Sequence, residues 1–597
     1  MIDKILEKKE FEMLMLESEN ETALNFEAGN PFISDTRVKL KEKERRQIEF
    51  PHHVQPSSSP KGLDQQFPDV VTTLSNQLSK LPNNPYVLNN LGLAFLTQRK
   101  WEEATKQFKE AIEIKRDFYS AKMNLARALI SLKRYEDALN IYKGLKKKHI
   151  NDTKILMNIA HIYFVQQKLD KSEDLLNKII SMDKENAVAY NNRAVIQIIK
   201  ENFNKAIGDL RKAIYINTYF AIAENNLGIC YVAKGVQKNA VRHFLTALSI
   251  DPNLADAAQN LGLSYSKAGE YRKVITLLGK YLERNEFDIS ARELLAKSYL
   301  MIRDYYSSHK QLSLAFKLAK EKYTNDPNYN FFHFYNNFGV TYHKKGDSIK
   351  ARKFYLKAKK EATSPSEILY RNIVHLYFDI GREDLVETEI KEALELFPDN
   401  TNLLLLSAQY CFDSDKREDA ISTLNRIIEK NPKLPSAYAF LSFMYSEVLL
   451  NYELAIETLN KGLEYNKGNR FLSNNLAYNY LMKDDTAKAR TILDAVEDIE
   501  GNVFLTATRG LLLLKEGDVK EGTTLYNRAA ALARDNSILH DQVEQKKNLE
   551  LARFYYSKGK KEDANKYLKR VLNPKLRPSV YCEQGEKFTE LVHLSRD

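Results

Sequence analysis

The residue types that most often carry catalysis are sparse in this 597-residue chain. Three cysteines, Cys230, Cys411 and Cys582, lie far apart, and the eleven histidines show no zinc-ligand spacing with them. His52 and His53 adjoin but have no companion ligand nearby. The stretch DSDKRED (Asp413 to Asp419) opens like a calcium loop, yet Glu418 stands where such a loop needs glycine. No GxGxxG, GxSxG or Walker loop occurs. The expectation is therefore a protein that is not an enzyme, with no metal and no cofactor. What does recur at a fixed interval is asparagine: Asn90, Asn124, Asn158, Asn192, Asn226 and Asn260, each 34 residues after the last, then Asn337, Asn372 and Asn475. Asparagine costs several tenths of a kcal/mol against alanine inside a helix, about 0.5 per site, so nine at one phase need a reason. A carboxamide offers one acceptor and two donors. A row of them can pair with the N–H and C=O groups of an extended polypeptide, whatever its sequence.

The elements that position this row follow from the same interval. Anchored on Leu227-Gly228, seven units start at Pro85, Tyr119, Thr153, Ala187, Ala221, Ala255 and Ile289 without an insertion. Counting from 1 in each, position 8 is small and position 11 is often aromatic (Phe95, Tyr163, Tyr231, Tyr265, Tyr299). One turn separates the two, so they share a helix face. A second helix carries Ala at position 20 (Ala104, Ala138, Ala206, Ala240), a ring at 24 (Phe108, Tyr142, Phe244) and Ala at 27 (Ala111, Ala213, Ala247). Large and small thus alternate at helical spacing, as interlocking helices require. A Lys-Gly or Lys-Arg turn joins the helices, and Pro252 stops the second one. At about 100° per residue, position 6 lies nearly opposite position 8 and shares a stripe with positions 2, 9 and 13. The asparagines are therefore expected to face a groove, with Leu93, Val195, Ile229 and Leu263 at position 9 giving apolar contact to a ligand.

The segment NNLGICYVAKGVQKNAVRHFLTALSIDP (Asn225 to Pro252) resembles a tetratricopeptide repeat at its Leu-Gly, Tyr, Ala, Phe, Ala and Pro positions. That resemblance implies an all-α fold, a right-handed superhelix of stacked helix pairs with a concave groove. About fourteen units are read over Pro85 to Pro574, the later ones with slips, including an extra residue in the turn of FLSFMYSEVLLNYELAIETLNKGLEYN. The asparagine ladder is similar to that of the repeat region of O-linked N-acetylglucosamine transferases, whose groove amides hold substrate polypeptide. No catalytic domain of that kind is expected after the repeats, which run almost to Asp597.

The organisation expected is a partly disordered tail over 1–66, a degenerate capping helix over 67–84, a first array over 85–322, an aromatic insertion or hinge over 323–331, a second array over 332–575 and a C-terminal tail over 576–597. The tail contains a linker-like QPSSSPKG (Gln55 to Gly62) and an ILEKKEFEMLML segment able to form one amphipathic helix. The insertion holds Tyr323, Tyr329 and Phe331 and is followed directly by Phe332, Phe334 and Tyr335. Such rings either anchor a partner or fill a gap between half-arrays.

Composition narrows the partners. A net charge of +11 from 90 basic and 79 acidic residues is modest for this length and lacks the concentrated stripe of a nucleic-acid binder. No run of about 18 apolar residues and no secretory h-region is present, so no membrane insertion is expected. Few cysteines at odd number fit a reducing, cytoplasmic setting. The reading that follows is a protein–protein interaction scaffold, binding extended segments or partner helices in the groove. The other reading is a regulatory or targeting subunit that recruits a separately encoded enzyme or secretion machinery. Oligomeric state is not legible in the sequence.

Overall fold

The computed structural model describes residues 83–594 apart from 327–328, 497–500, 535–536 and 578, together with most of 71–79. The tail expected over 1–66 lies outside the described residues. Among the described residues there is no strand, and twenty-eight α-helices follow one another between Pro85 and Val571, fourteen helix–turn–helix units in chain order. They divide into two compact units, the first ending at Asp347 and the second spanning Ser348–Asp597.

In the first unit, the leading helices begin at the sequence-derived starts: Pro85–Thr97, Tyr119–Ser131, Thr153–Val165, Ala187–Ile199, Ala221–Ala233, Ala255–Lys267 and Ile289–Met301. Several are capped by side chains that accept from the first turn, Asn84 from the Tyr86 and Val87 N–H groups and Asp152 from those of Lys154 and Ile155. Each ends the same way. Position 15 adopts a left-handed backbone at Arg99, Lys133, Gln167, Glu201, Gly235, Gly269 and Arg303, with φ between 59° and 75°. The next residue then donates back into the helix, as in Val236 N–H to the Tyr231 carbonyl at 2.9 Å and Arg134 N–H to that of Leu129 at 2.8 Å. This pairing satisfies carbonyls that the helix end would otherwise strand. A non-glycine residue in this conformation costs about 1–2 kcal/mol, which the turn's two hydrogen bonds offset.

In two repeats of the first unit the paired helices are locked by a ring in a notch. The Phe244 ring is fully buried beside Gly228, where an added Cβ would lie 2.5 Å from its Cε1. Gly92 and Phe108 repeat this contact at the same distance. Ala104, Ala138, Ala206 and Ala240 are all wholly buried at position 20. The asparagine-bearing helices of 153–265 join one continuous apolar cluster with their partners, running from Leu156 to Leu261. Before Pro85, Leu78 packs near Leu88 and Phe118, so the helical residues within 71–79 cover the first pair.

The aromatic insertion is spent on packing. Phe316, on the 19-residue helix Tyr305–Tyr323, meets the rings of Phe331, Phe334, Tyr335 and Phe338 at 5.3–5.9 Å, mostly edge to face. Tyr323 and Tyr329 stack at 4.1 Å. Such ring pairs each contribute about 0.5–1.5 kcal/mol beyond area burial.

The second unit shows two departures from the sequence reading. The extra residue expected in a turn is instead taken up inside the helix: Pro435–Phe443 continues into a π-helical segment, Met444–Val448, closed by Leu449 N–H to the Met444 carbonyl at 3.0 Å. Within the stretch read as a C-terminal tail, Val580–Leu594 forms a helix whose Tyr581 and Val592 are buried in a cluster with Leu549 and Leu568.

The seam contact yields a stability test. A Gly228→Leu chain should lose about 1–3 kcal/mol of stability through overpacking against Phe244, read as a lower midpoint in urea unfolding followed by circular dichroism. A midpoint equal to that of the parent chain would mean the notch does not hold the pair together.

Candidate functional site

The asparagine positions recur on the leading helices of the first unit and form rungs between successive repeats. The position-6 amide donates to the residue at position 5 of the preceding repeat. Asn226 Nδ2 reaches Asn191 Oδ1 at 3.1 Å, Asn260 reaches Asn225 at 2.9 Å and Asn124 reaches Asn89 at 3.0 Å. Where position 5 is methionine the rung weakens in a chemically sensible way. Asn192 is left with the thioether of Met157 at 3.3 Å, and Asn158, which follows Met123, turns back to the Lys154 carbonyl of its own helix at 2.8 Å. Asn191 also donates to Asn192 at 3.2 Å, and Asn336 to Asn337 likewise.

This arrangement modifies the expected open row of amides. Asn192, Asn226, Asn260, Asn337 and Asn372 are buried, Asn124 and Asn158 are half-buried, and Asn90 alone of the eight is exposed. Val195 and Ile229 at position 9 are likewise buried within the core cluster, whereas Leu93 and Leu263 are half-buried. The physical reason is that a position nearly opposite the intra-repeat seam also lies close to the equivalent position of the next repeat. One N–H of the amide is then spent on cohesion. The signal for the acceptor partner was present in the sequence as the doubled asparagines Asn89-Asn90, Asn191-Asn192, Asn225-Asn226 and Asn336-Asn337.

Charged and ionisable groups share these helices. Asp256, at position 2 and one turn before Asn260, is 1% exposed, and neither carboxylate oxygen has a hydrogen-bond partner among the described residues. Glu224 holds His243 Nδ1 at 2.7 Å, and the His243 ring stacks on Tyr231. His161, at position 9, is buried, and that burial pushes its imidazole down to about 3, so it stays neutral. No group of three or more His, Cys, Asp or Glu placed to hold a metal ion occurs among the described residues.

In the second unit the polar groups concentrate elsewhere. Glu550, 3% exposed, pairs with Lys546 Nζ at 3.0 Å and Arg553 Nη1 at 2.8 Å. Burial pushes its carboxyl up, but the Lys546 ammonium and Arg553 guanidinium outweigh this and hold it down at about 2. Gln584 on the last helix ties the cluster to Glu447 of the π segment, donating to its carboxylate at 3.2 Å and accepting from Arg553. Tyr478 also donates to Glu447.

Family models described as tetratricopeptide repeat match residues 95–153 and 332–363. Over 110 residues the chain is 34% identical to protein O-mannosyl-transferase Tmtc3 of Drosophila melanogaster, covering 18% of this chain and 12% of that protein. It is 26% identical over 115 residues to anaphase-promoting complex subunit CDC16 of Saccharomyces cerevisiae, covering 18% and 14%. The chain thus spans about an eighth of the length of each of these two relatives. Among solved structures, the anaphase-promoting complex hetero-tetramer Cut9-Hcn1 aligns over 78% of this chain and 94% of its own at 15% identity with a TM-score of 0.33. MamA aligns over 27% and 95% at 25% identity with a TM-score of 0.25. The likeness of the ladder to O-linked N-acetylglucosamine transferases finds no support in these relatives. No helix among the described residues is long and apolar enough to cross a membrane.

Two measurements check the polar networks. Asn191→Ala strips Asn226 of its acceptor and should cost about 1–3 kcal/mol. In a double-mutant cycle with Asn226→Ala the two losses should be less than additive, and full additivity would show that the rung contributes nothing. For Glu550, a carboxyl lowered in the folded state stabilises above its unfolded value of 4.5 and loses that contribution as pH falls toward 2. The second unit should therefore lose about 3 kcal/mol between roughly pH 5 and 2. Glu550→Gln should flatten that acid limb in denaturation curves taken across pH.

Proposed function

We propose, from the tetratricopeptide-repeat matches at 95–153 and 332–363 and the paired helices around them, that the chain is a protein–protein interaction scaffold that receives an extended polypeptide segment or a partner helix along the leading-helix stripe of the first unit. The observation that carries this reading is Asp256, a buried carboxylate with no described hydrogen-bond partner, one turn from the Asn260 rung. A buried acceptor of this kind costs free energy until a donor arrives. The N–H groups of a polypeptide supply such donors. Asn90 and Asn158 lie on the same stripe in earlier repeats, and neither amide bonds a neighbouring helix in the hydrogen bonds given above.

On this reading the partly apolar residues between the rungs, Leu93 and Leu263, contact ligand side chains. The buried rungs keep successive repeats at fixed spacing, so ligand groups meet a rigid frame rather than a set of independent side chains. The relative CDC16 is named as a subunit of a complex. That supports a role in assembly, including the variant in which this chain recruits a separately encoded enzyme.

The test uses the full chain and a panel of fluorescently labelled, unstructured peptides of unrelated sequence, read by anisotropy. Binding with shallow sequence dependence is expected. The triple variant Asn90→Ala, Asn158→Ala, Asp256→Asn should weaken it about tenfold, equivalent to about 1.4 kcal/mol, with unchanged helicity. Equal affinity of parent and variant would remove this stripe as the binding surface.

A further inference from the structure

The second unit contains a separate feature, a cavity of about 130 Å³. Its base is formed by the leading helices Pro435–Phe443, Arg470–Met482 and Val503–Glu516. The first turns of the 21-residue helix Ser537–Ser557 and Tyr581 of the last helix close its side. The extra residue of the π segment brings Glu447 to its wall, where Gln584 and Tyr478 fix the carboxylate. Insertions of this type are frequent where a helix serves a site.

The lining is chemically one-sided. Asn474 and Asn479 are 6% and 2% exposed, and among the described residues neither carboxamide oxygen has a hydrogen-bond partner, nor has that of Gln542. The Asn479 donor side is already used, bonding the Asn475 carbonyl at 2.8 Å. Three side chains with acceptors that lack described donors thus line one cavity, together with the rings of Phe443, Phe504 and Tyr526. Among the described lining residues the single ammonium, Lys546, is engaged by Glu550 and sits over the rings of Tyr478 and Tyr581 at 4.9 and 5.1 Å. A cationic ligand would meet Lys546, and an anionic one would meet Glu447 and three bare oxygens. A neutral group with an aromatic body and an N–H donor avoids both penalties. The volume is of the order that admits an aromatic ring, since an apolar cavity of about 150 Å³ takes up benzene.

We propose that this cavity is an anchor site for one uncharged aromatic donor side chain, a tryptophan, presented by a partner polypeptide. The site is independent of the stripe in the first unit, so each is tested by variants that leave the other untouched.

The experiment measures binding of four acetylated, amidated peptides, Gly-Ser-X-Ser-Gly with X as Trp, Lys, Asp or Ala, to the full chain by titration calorimetry. The Trp peptide should bind at least tenfold more tightly than the other three. Ala507→Phe, which fills the cavity from its wall, should abolish that preference. Asn479→Leu, which removes an acceptor at similar volume, should reduce it severalfold and serves where Ala507→Phe fails to fold. Binding of the Trp peptide should be unaffected by the Asn90, Asn158 and Asp256 substitutions. Equal binding of all four peptides, a preference for Lys or Asp, or a Trp preference that survives both cavity variants would overturn the proposal. So would a photo-crosslinker at position 507 that joins, in the isolated full chain, to residues 1–66 of the same chain, which would make that segment the occupant.

Discussion

The array rests on the close approach of its paired helices, which in two repeats is made by a ring seated in a notch with no side chain. Gly228 gives Phe244 the volume of a missing methyl group, and Gly92 does the same for Phe108. This contact sets how closely the two helices of a repeat approach. The wholly buried alanines at position 20 then allow the second helix to lie flat on the first. A single pair of this kind cannot exclude water from both of its faces. Each repeat completes its core only against the next, so stability accumulates from neighbour to neighbour. The continuous cluster from Leu156 to Leu261 is that accumulation in one region.

Upon this apolar frame the amide rungs add direction. Apolar contact alone tolerates sliding, whereas an Nδ2-to-Oδ1 bond such as Asn226 to Asn191 is satisfied in one relative placement of two helices. The rung is a local device of two residues per repeat, and it fails gracefully. A methionine at position 5 gives a poorer acceptor at Met157 or sends the amide back to its own helix at Asn158. Amide-to-amide rungs thus join the repeats at 85 and 119, at 187 and 221, and at 221 and 255. A ligand-binding surface benefits from being placed where the frame is stiffest.

Much of this was legible beforehand because it is periodic. The seam positions announce themselves through size, and Gly228, Ala240, Phe244 and Ala247 take the places that their spacing implied. The destination of the asparagines was only half legible. Helical angle puts position 6 opposite the intra-repeat seam, but it says nothing of the neighbouring repeat, whose distance depends on packing. The doubled asparagines held that information, and reading them one at a time missed it. The last helix was misread as a tail because Val580–Leu594 has no repeat phase to match, although its Tyr581 and Val592 are buried. The cavity of the second unit was wholly illegible. Glu447 and Gln584 meet across 137 positions of sequence, and no local pattern encodes such a meeting.

The π segment at Met444–Val448 shows how a strictly phased scaffold can acquire novelty. One added residue inside an α-helix would rotate everything beyond it by about 100° and carry the buried stripe out to solvent. Here the wide turn absorbs the addition, and the following helix, Tyr452–Tyr465, still buries Ala455 and Leu459. A phased array can thereby change length at the end of a helix while its stacking survives.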